Sequence, residues 1–137
     1  MTLGRSPPGR FMHTMDHCIK GNFVVLYGGR NDQLSTPILS DLWILKLDNL
    51  EWVEAKVGGQ HLAIPRFNHA SFMNDSELII CGGQNRHFSY EKDYLTIELD
   101  QLLVDRINPI MGILAIQIRA KLVNINKKSL RACIQKR

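Results

Sequence analysis

A repeat inside the first hundred residues constrains this chain more than any other feature. Arg10, Phe11 and His13 recur as Arg66, Phe67 and His69 at a displacement of 56 positions, and Pro8 is answered by Pro65. Leu26, Tyr27, Gly28 and Gly29 recur as Ile80, Cys81, Gly82 and Gly83 at 54, and Asp41, Leu47 and Asp48 as Asp93, Leu99 and Asp100 at 52. A repeat outranks single motifs because each copy is one supersecondary unit that buries its apolar side only against a neighbour. The displacement shrinks in steps of two, as deletions in loops between fixed strands would produce.

Each copy reads as four short strands. His13 to Ile19 forms the first. Phe23 to Tyr27 is a continuous apolar run closed by Gly28 and Gly29, and its counterpart is Leu78 to Cys81, closed by Gly82 and Gly83. Paired glycines after a buried strand permit positive φ and let another backbone approach closely. Asp41 to Leu47 alternates Leu42, Ile44 or Leu45 and Leu47 around Trp43, and Thr96 to Leu99 alternates similarly. Glu51 to Val57, with Trp52 and Val57 around an exposed Glu54, suits a last strand.

On these residues the chain resembles kelch repeats. The family's double glycine maps to Gly28 with Gly29 and to Gly82 with Gly83, its preceding aromatic to Tyr27, its later Trp pair to Trp43 and Trp52, and its opening residues to Arg10 with His13 and Arg66 with His69. Asp41 and Asp93 occupy matching places in the two copies. The second copy departs from the pattern: Leu95 stands where Trp43 predicts a Trp, with Tyr94 one position earlier, and Val104 stands where Trp52 predicts another. Gly58 and Gly59 follow no suitable apolar strand and read as a loop. The resemblance, over residues 5 to 104, implies an all-β architecture of two four-stranded kelch-type propeller blades, at about 5–57 and 58–104. They form a partial β-propeller over 1–106, followed by a tail over 107–137 with a helical reading.

The resemblance also implies structural roles for the repeated residues. Trp43 and Trp52 are expected between neighbouring blades, where truncating a core aromatic costs about 3–5 kcal/mol. Arg10 and Arg66 lie in the segments that lead into the blades, and five guanidinium donors suit them to tying loop carbonyls together; His13 and His69 are read likewise. His13, His17 and Cys18 suggest a metal site at first sight. On a strand, however, residues 13 and 17 lie about 13 Å apart, too far for a shared ion. The chain carries no GxSxG, HExxH or GxxxxGK motif, so neither catalysis nor a cofactor is expected.

Two blades leave two apolar sheet faces and a strand edge uncovered, whereas propellers close with four to eight blades. Three arrangements relieve this: a fragment of a longer propeller, self-association of several copies, or docking onto other propeller blades. The change of composition after residue 106 favours the fragment. The first 106 residues hold ten Lys/Arg against thirteen Asp/Glu, while 107–137 holds seven Lys/Arg and no acid. In this tail Met111, Leu114, Ile118, Leu122 and Ile125 recur at helical spacing. A basic amphipathic helix suits an anionic membrane surface, a calmodulin-like groove or the open blade face; Ile113, Ile116 and Ile118 equally permit a strand. Without aromatic stacking residues the tail implies no specific nucleic-acid recognition.

Cys18, Cys81 and Cys133 form no CxxC pair, and no signal-length apolar segment follows Met1 to Arg10, so reduced thiols in an intracellular, cytoplasmic protein are expected. The functional expectation is a scaffold-type protein-interaction module that binds an unidentified protein partner through the loops Arg30 to Ser40 and Gln84 to Lys92. The candidate contact residues are Asn31, Asp32, Gln33, Asn85, Arg86, His87, Phe88 and Tyr90. The alternative implied by the resemblance is part of a larger propeller enzyme, an oxidase or sugar isomerase.

Overall fold

The structure, a computed structural model, describes residues 5–55, 57–58, 64–92, 94–99 and 118–123, with residues 57–58 and 118–123 described by their backbone. Strands β1 (Thr14–Cys18), β2 (Phe23–Tyr27), β3 (Leu42–Lys46) and β4 (Glu51–Ala55) form one antiparallel sheet in sequential order. A second sheet is built on the antiparallel strands β6 (Ala70–Asn74), β7 (Glu77–Cys81) and β8 (Tyr94–Glu98). Strand β9 (Ile118–Val123) adds antiparallel to β8, and the two-residue β5 (Val57–Gly58) adds parallel to β9.

The sequence repeat is a structural repeat. β1 and β6 start 56 positions apart, β2 and β7 54, β3 and β8 52. Both steps fall in connections: Ile19–Asn22 joins β1 to β2, whereas Asp75 and Ser76 alone join β6 to β7. Backbone conformations recur too. Gly28 and Gly82 have φ of 62° and 66°, Gly29 and Gly83 of 98° and 87°, and Met12 and Asn68 both of 56°.

The two sheets pack with unlike faces. Phe23, Val25, Tyr27, Leu42, Ile44 and Ala55 point from one face of the first sheet into a single core shared with Leu78, Ile80, Leu95, Ile97 and Leu99. In the repeat, Leu78 and Ile80 correspond to Val24 and Leu26, which lie on the other face of the first sheet. Side chains that alternate along a strand therefore give every sheet a forward and a backward face, and forward packs on backward. β1 completes the contact through its forward residues: Thr14 Oγ1 lies 2.9 Å from His69 Nε2, Asp16 accepts the Ser71 hydroxyl, and Cys18 Sγ donates to the Asp75 carbonyl at 3.4 Å.

One expectation is corrected. The tail does not form a helix over Ile118–Val123: these residues are β9, paired from Tyr94↔Val123 to Glu98↔Arg119. An open β8 edge offers a row of unpaired backbone groups, and β-branched Ile118 and Val123 favour the extended chain that fills it. The remaining tail, Val104 and Asp93 lie outside the described residues. Trp43 and Trp52 lie on the face of the first sheet that points away from the second. Trp43 is nonetheless 1 % exposed and Trp52 half-buried.

The glycines provide a direct test of the stacking. A Cβ on Gly28 would meet the Arg66 carbonyl oxygen at 2.7 Å, whereas one on Gly82 meets nothing within 4 Å among the described residues. Both substitutions to Ala carry the left-handed penalty of about 1–2 kcal/mol, but only Gly28→Ala adds a backbone clash. Chemical denaturation should show Gly28→Ala to be the more destabilising by at least about 1 kcal/mol. Equal losses would contradict the close approach of the second repeat to Gly28.

Candidate functional site

Each repeat opens on a segment laid across the end of its own sheet. In the first, the Arg10 guanidinium grips Asp41 through both oxygens, Nη1 to Oδ1 at 2.5 Å and Nη2 to Oδ2 at 2.8 Å, and Nη1 also donates to the Gly28 carbonyl at 3.1 Å. Trp43 Nε1 donates to the same carboxylate at 2.7 Å. The Arg10 side chain is only 2 % exposed, so removing either partner leaves a largely buried charge, a loss of about 3–5 kcal/mol where burial is complete. Arg66 repeats the carbonyl contact, Nη1 to Gly82 O at 3.1 Å, and is fully buried; its Nε and Nη2 make no hydrogen bond among the described residues. Each arginine thus donates to the carbonyl of the first glycine in its own repeat's pair.

The first repeat also holds the opening of the second. Tyr27 donates its hydroxyl to the Ile64 carbonyl at 2.7 Å, Gly29 N to Arg66 O at 2.9 Å, and Asn68 N to Met12 O at 3.0 Å. Burial pushes the Tyr27 phenol well above its ordinary pKa, which keeps it a donor.

At this end of the sheets the long loops converge. Asn31 and Asn85 shape them identically: Asn31 Oδ1 accepts Gln33 N at 2.9 Å, and Asn85 Oδ1 accepts His87 N at 2.9 Å, the Asx pattern that folds a loop back on itself. Arg30 then ties the loops together. Its guanidinium lies 5.9 Å from the ring of Phe11, 5.6 Å from Phe67 and 5.3 Å from Phe88, while Nε pairs with Asp32 at 2.5 Å. Phe67 and Phe88 meet edge to face at 5.8 Å. A cation over aromatic faces contributes about 0.5–1 kcal/mol at an exposed site, so one side chain couples three segments.

Around this cage the surface is apolar. Phe11, Met12, Leu34, Phe88 and Tyr90 are all exposed, Phe88 at 54 % and Tyr90 at 75 %. Met12 and Phe88 have φ of 56° and 58°, a region that disfavours side chains other than Asn and Asp by about 1 kcal/mol or more. Asn68, at the place of Met12 in the second repeat, is the residue type this backbone prefers.

Of the contact residues expected from sequence, Arg86, His87, Phe88 and Tyr90 are exposed, as are Gln33 and Asp32, the last paired with Arg30. Asn31 and Asn85 are engaged in loop folding, Asn31 also donating to Gly9 O at 2.6 Å. The sequence reading held Arg30 only as the first residue of its loop, and missed Phe11 and Met12 in this surface and Phe67 beneath it. The recurrence of Phe11 as Phe67 was the available signal; nothing local marked Arg30 as their common partner.

No protein-family model matches the chain. It is similar, at 28% identity over 75% of its length, to an F-box/kelch-repeat protein of Arabidopsis thaliana, of which it covers 23%. It is 31% identical over 61% of its length to Adagio-like protein 1 of Oryza sativa subsp. japonica, covering 13% of that protein. A kelch repeat-containing protein of Arthroderma benhamiae is 32% identical over 44% of the chain, with 9% of that protein covered. These likenesses are low in identity and partial, and the chain spans less than a quarter of each relative. Two of the three carry kelch repeats in their names, in keeping with the resemblance read from the double glycines.

His69 sits at the seam between the two sheets, edge-on to Tyr27 at 5.5 Å and against Thr14. Burial, with the nearby Arg66 and His13 adding to it, lowers its pKa to about 4. The unfolded chain takes up this proton near pH 6.5 and the folded chain only near pH 4, so the contribution is intact above pH 6.5 and falls as the pH drops through that window. The full loss is about 3 kcal/mol. Denaturation curves at stepped pH should show this slope in the native protein and a shallower one in His69→Gln; identical slopes would exclude His69 as the source.

Proposed function

We propose that this chain is a kelch-type protein-interaction module whose partner docks on the loop end of the two sheets. The observation that carries the reading is the exposed apolar pair Met12 and Phe88 at the loop end, beside the Arg30 cage. Around them Arg30, Phe11 and Tyr90 supply the Arg and aromatic anchors that dominate binding energy in protein interfaces.

The kelch-named relatives support the same class of function without identifying a partner. Enzymatic chemistry finds no comparable support, because the groups gathered at this end are aromatic rings, a guanidinium already paired with Asp32 and loop-shaping amides.

The test separates folding from binding. Met12→Asn should raise stability by about 0.5–1 kcal/mol by relieving the backbone, and Phe88→Asn should be near neutral because relief offsets the lost ring contacts. Both should weaken partner capture, measured by cross-linking of the native chain followed by mass spectrometry. Ile19→Ser and Leu50→Ser, which alter exposed apolar residues in turns at the opposite end, should leave capture unchanged. If the loop variants capture the same partners as the native chain, the reading fails.

A further inference from the structure

Most charged side chains at the loop end are answered within the chain. The Arg10 guanidinium holds Asp41, Arg30 pairs with Asp32 at 2.5 Å, and Arg5 reaches Glu54 at 3.8 Å. Arg66 is buried on the Gly82 carbonyl. Arg86 and Lys92 are exposed, and neither makes an ion pair with a described residue. Their loop holds one described carboxylate, Glu91, which is half-buried.

At the opposite end of the sheets the balance is reversed. Lys20 and Lys46 pair with Asp75 and Glu51, while Asp48, Glu77 and Glu98 are in no ion pair among the described residues. A five-residue strand separates the two ends. That is about 16 Å of extended chain, against a screening length of about 8 Å at physiological salt. The far carboxylates therefore leave Arg86 and Lys92 unneutralised.

These two cations stand beside apolar rings on a fixed frame. Phe88 and Tyr90, 54 % and 75 % exposed, lie between them in sequence. Asn85 Oδ1 accepts both His87 N and Ser89 N, Phe88 N donates to Asn85 O at 3.0 Å, and Glu91 N donates to Gly83 O at 2.9 Å. The Phe88 ring meets the buried Phe67 edge to face. The loop thus offers charge and rings already in place, which lowers the entropic cost of binding a short segment.

We propose, resting on the loop-end docking above, that the partner segment is a peptide in which a carboxylate neighbours an apolar side chain. Its Asp or Glu reaches Arg86 and Lys92, and its apolar group lies on Phe88 and Tyr90. The fork of guanidinium donors matches both oxygens of a carboxylate, and unlike charges at an interface rim speed encounter and select among partners. An anionic membrane surface fits less well, because two unpaired cations fall short of the clusters of about four to eight that hold a protein to acidic lipid.

A random peptide library on phage, panned against the immobilised full chain, tests this. Enriched peptides should carry Asp or Glu within a few residues of Phe, Trp or Leu. Binding of the synthetic peptide, read by fluorescence anisotropy, should weaken with added salt. Arg86→Gln combined with Lys92→Gln should weaken it about three- to tenfold, as the loss of two exposed ion pairs would, and flatten the salt dependence. Phe88→Asn should remove the binding, and Tyr90→Ser, at a position too exposed to affect folding, should weaken it. Peptides enriched without acidic residues, or bound unchanged by the double variant, would overturn the proposal; if Phe88→Asn still removes them, the loop-end reading stands. Peptides that bind Phe88→Asn and Tyr90→Ser as tightly as the native chain would overturn both. A chain that enriches no peptide, or that prefers phosphatidylserine vesicles to every enriched peptide, would also overturn the proposal.

Discussion

The contact in which Leu78, Ile80, Leu95 and Ile97 cover Phe23, Val25, Tyr27, Leu42 and Ile44 is the one on which the rest of the structure depends. Neither sheet is large enough to bury an apolar side by itself; a few five-residue strands with two-residue side-chain alternation expose as much as they hide. Once the second sheet is seated, Tyr27 and Gly29 fix the chain entering it, and the two loop ends are brought side by side. The Arg30 cage follows from that placement, because its three rings come from the two opening segments and the second loop.

This order of dependence assigns different work to chemically similar residues. Arg10 and Arg66 are buried and hold carbonyls, so their charge is spent inside the fold. Arg30 lies at the surface and holds rings, so what it organises is available to a partner. Phe67 is buried beneath this surface while Phe11 and Phe88 stand exposed around it; the same residue type serves as floor in one place and as contact in another. Rigid strands carrying aromatic loops are the arrangement in which binding surface is obtained without ordering a flexible segment at the moment of association.

Much of this was legible before any coordinates. The blocks Arg10–His13, Leu26–Gly29 and Asp41–Asp48 and their echoes mark strands whose spacing is rigid, and the two-residue steps between them fall in connections. The glycines were legible because positive φ and close backbone approach leave almost no other residue type. What was not legible has physical reasons. Alternation shows that a strand has two faces but not which sheet lies on which, so the face that carries Trp43 and Trp52 could not be assigned. The spacing of Met111, Leu114, Ile118 and Leu122 matches a helix, and the strand at Ile118–Val123 forms because a distant edge at β8 is open, a fact that no local window contains. Arg30 was passed over because its three partners lie in three separate segments.

Methyl nuclear Overhauser contacts test the central claim most directly. The stacking predicts contacts joining Val25 and Ile44 of the first sheet to Leu78, Ile80, Leu95 and Ile97 of the second, with none from Ile79. Contacts between Ile79 and Val25, or a complete lack of contacts between the sheets, would contradict the account.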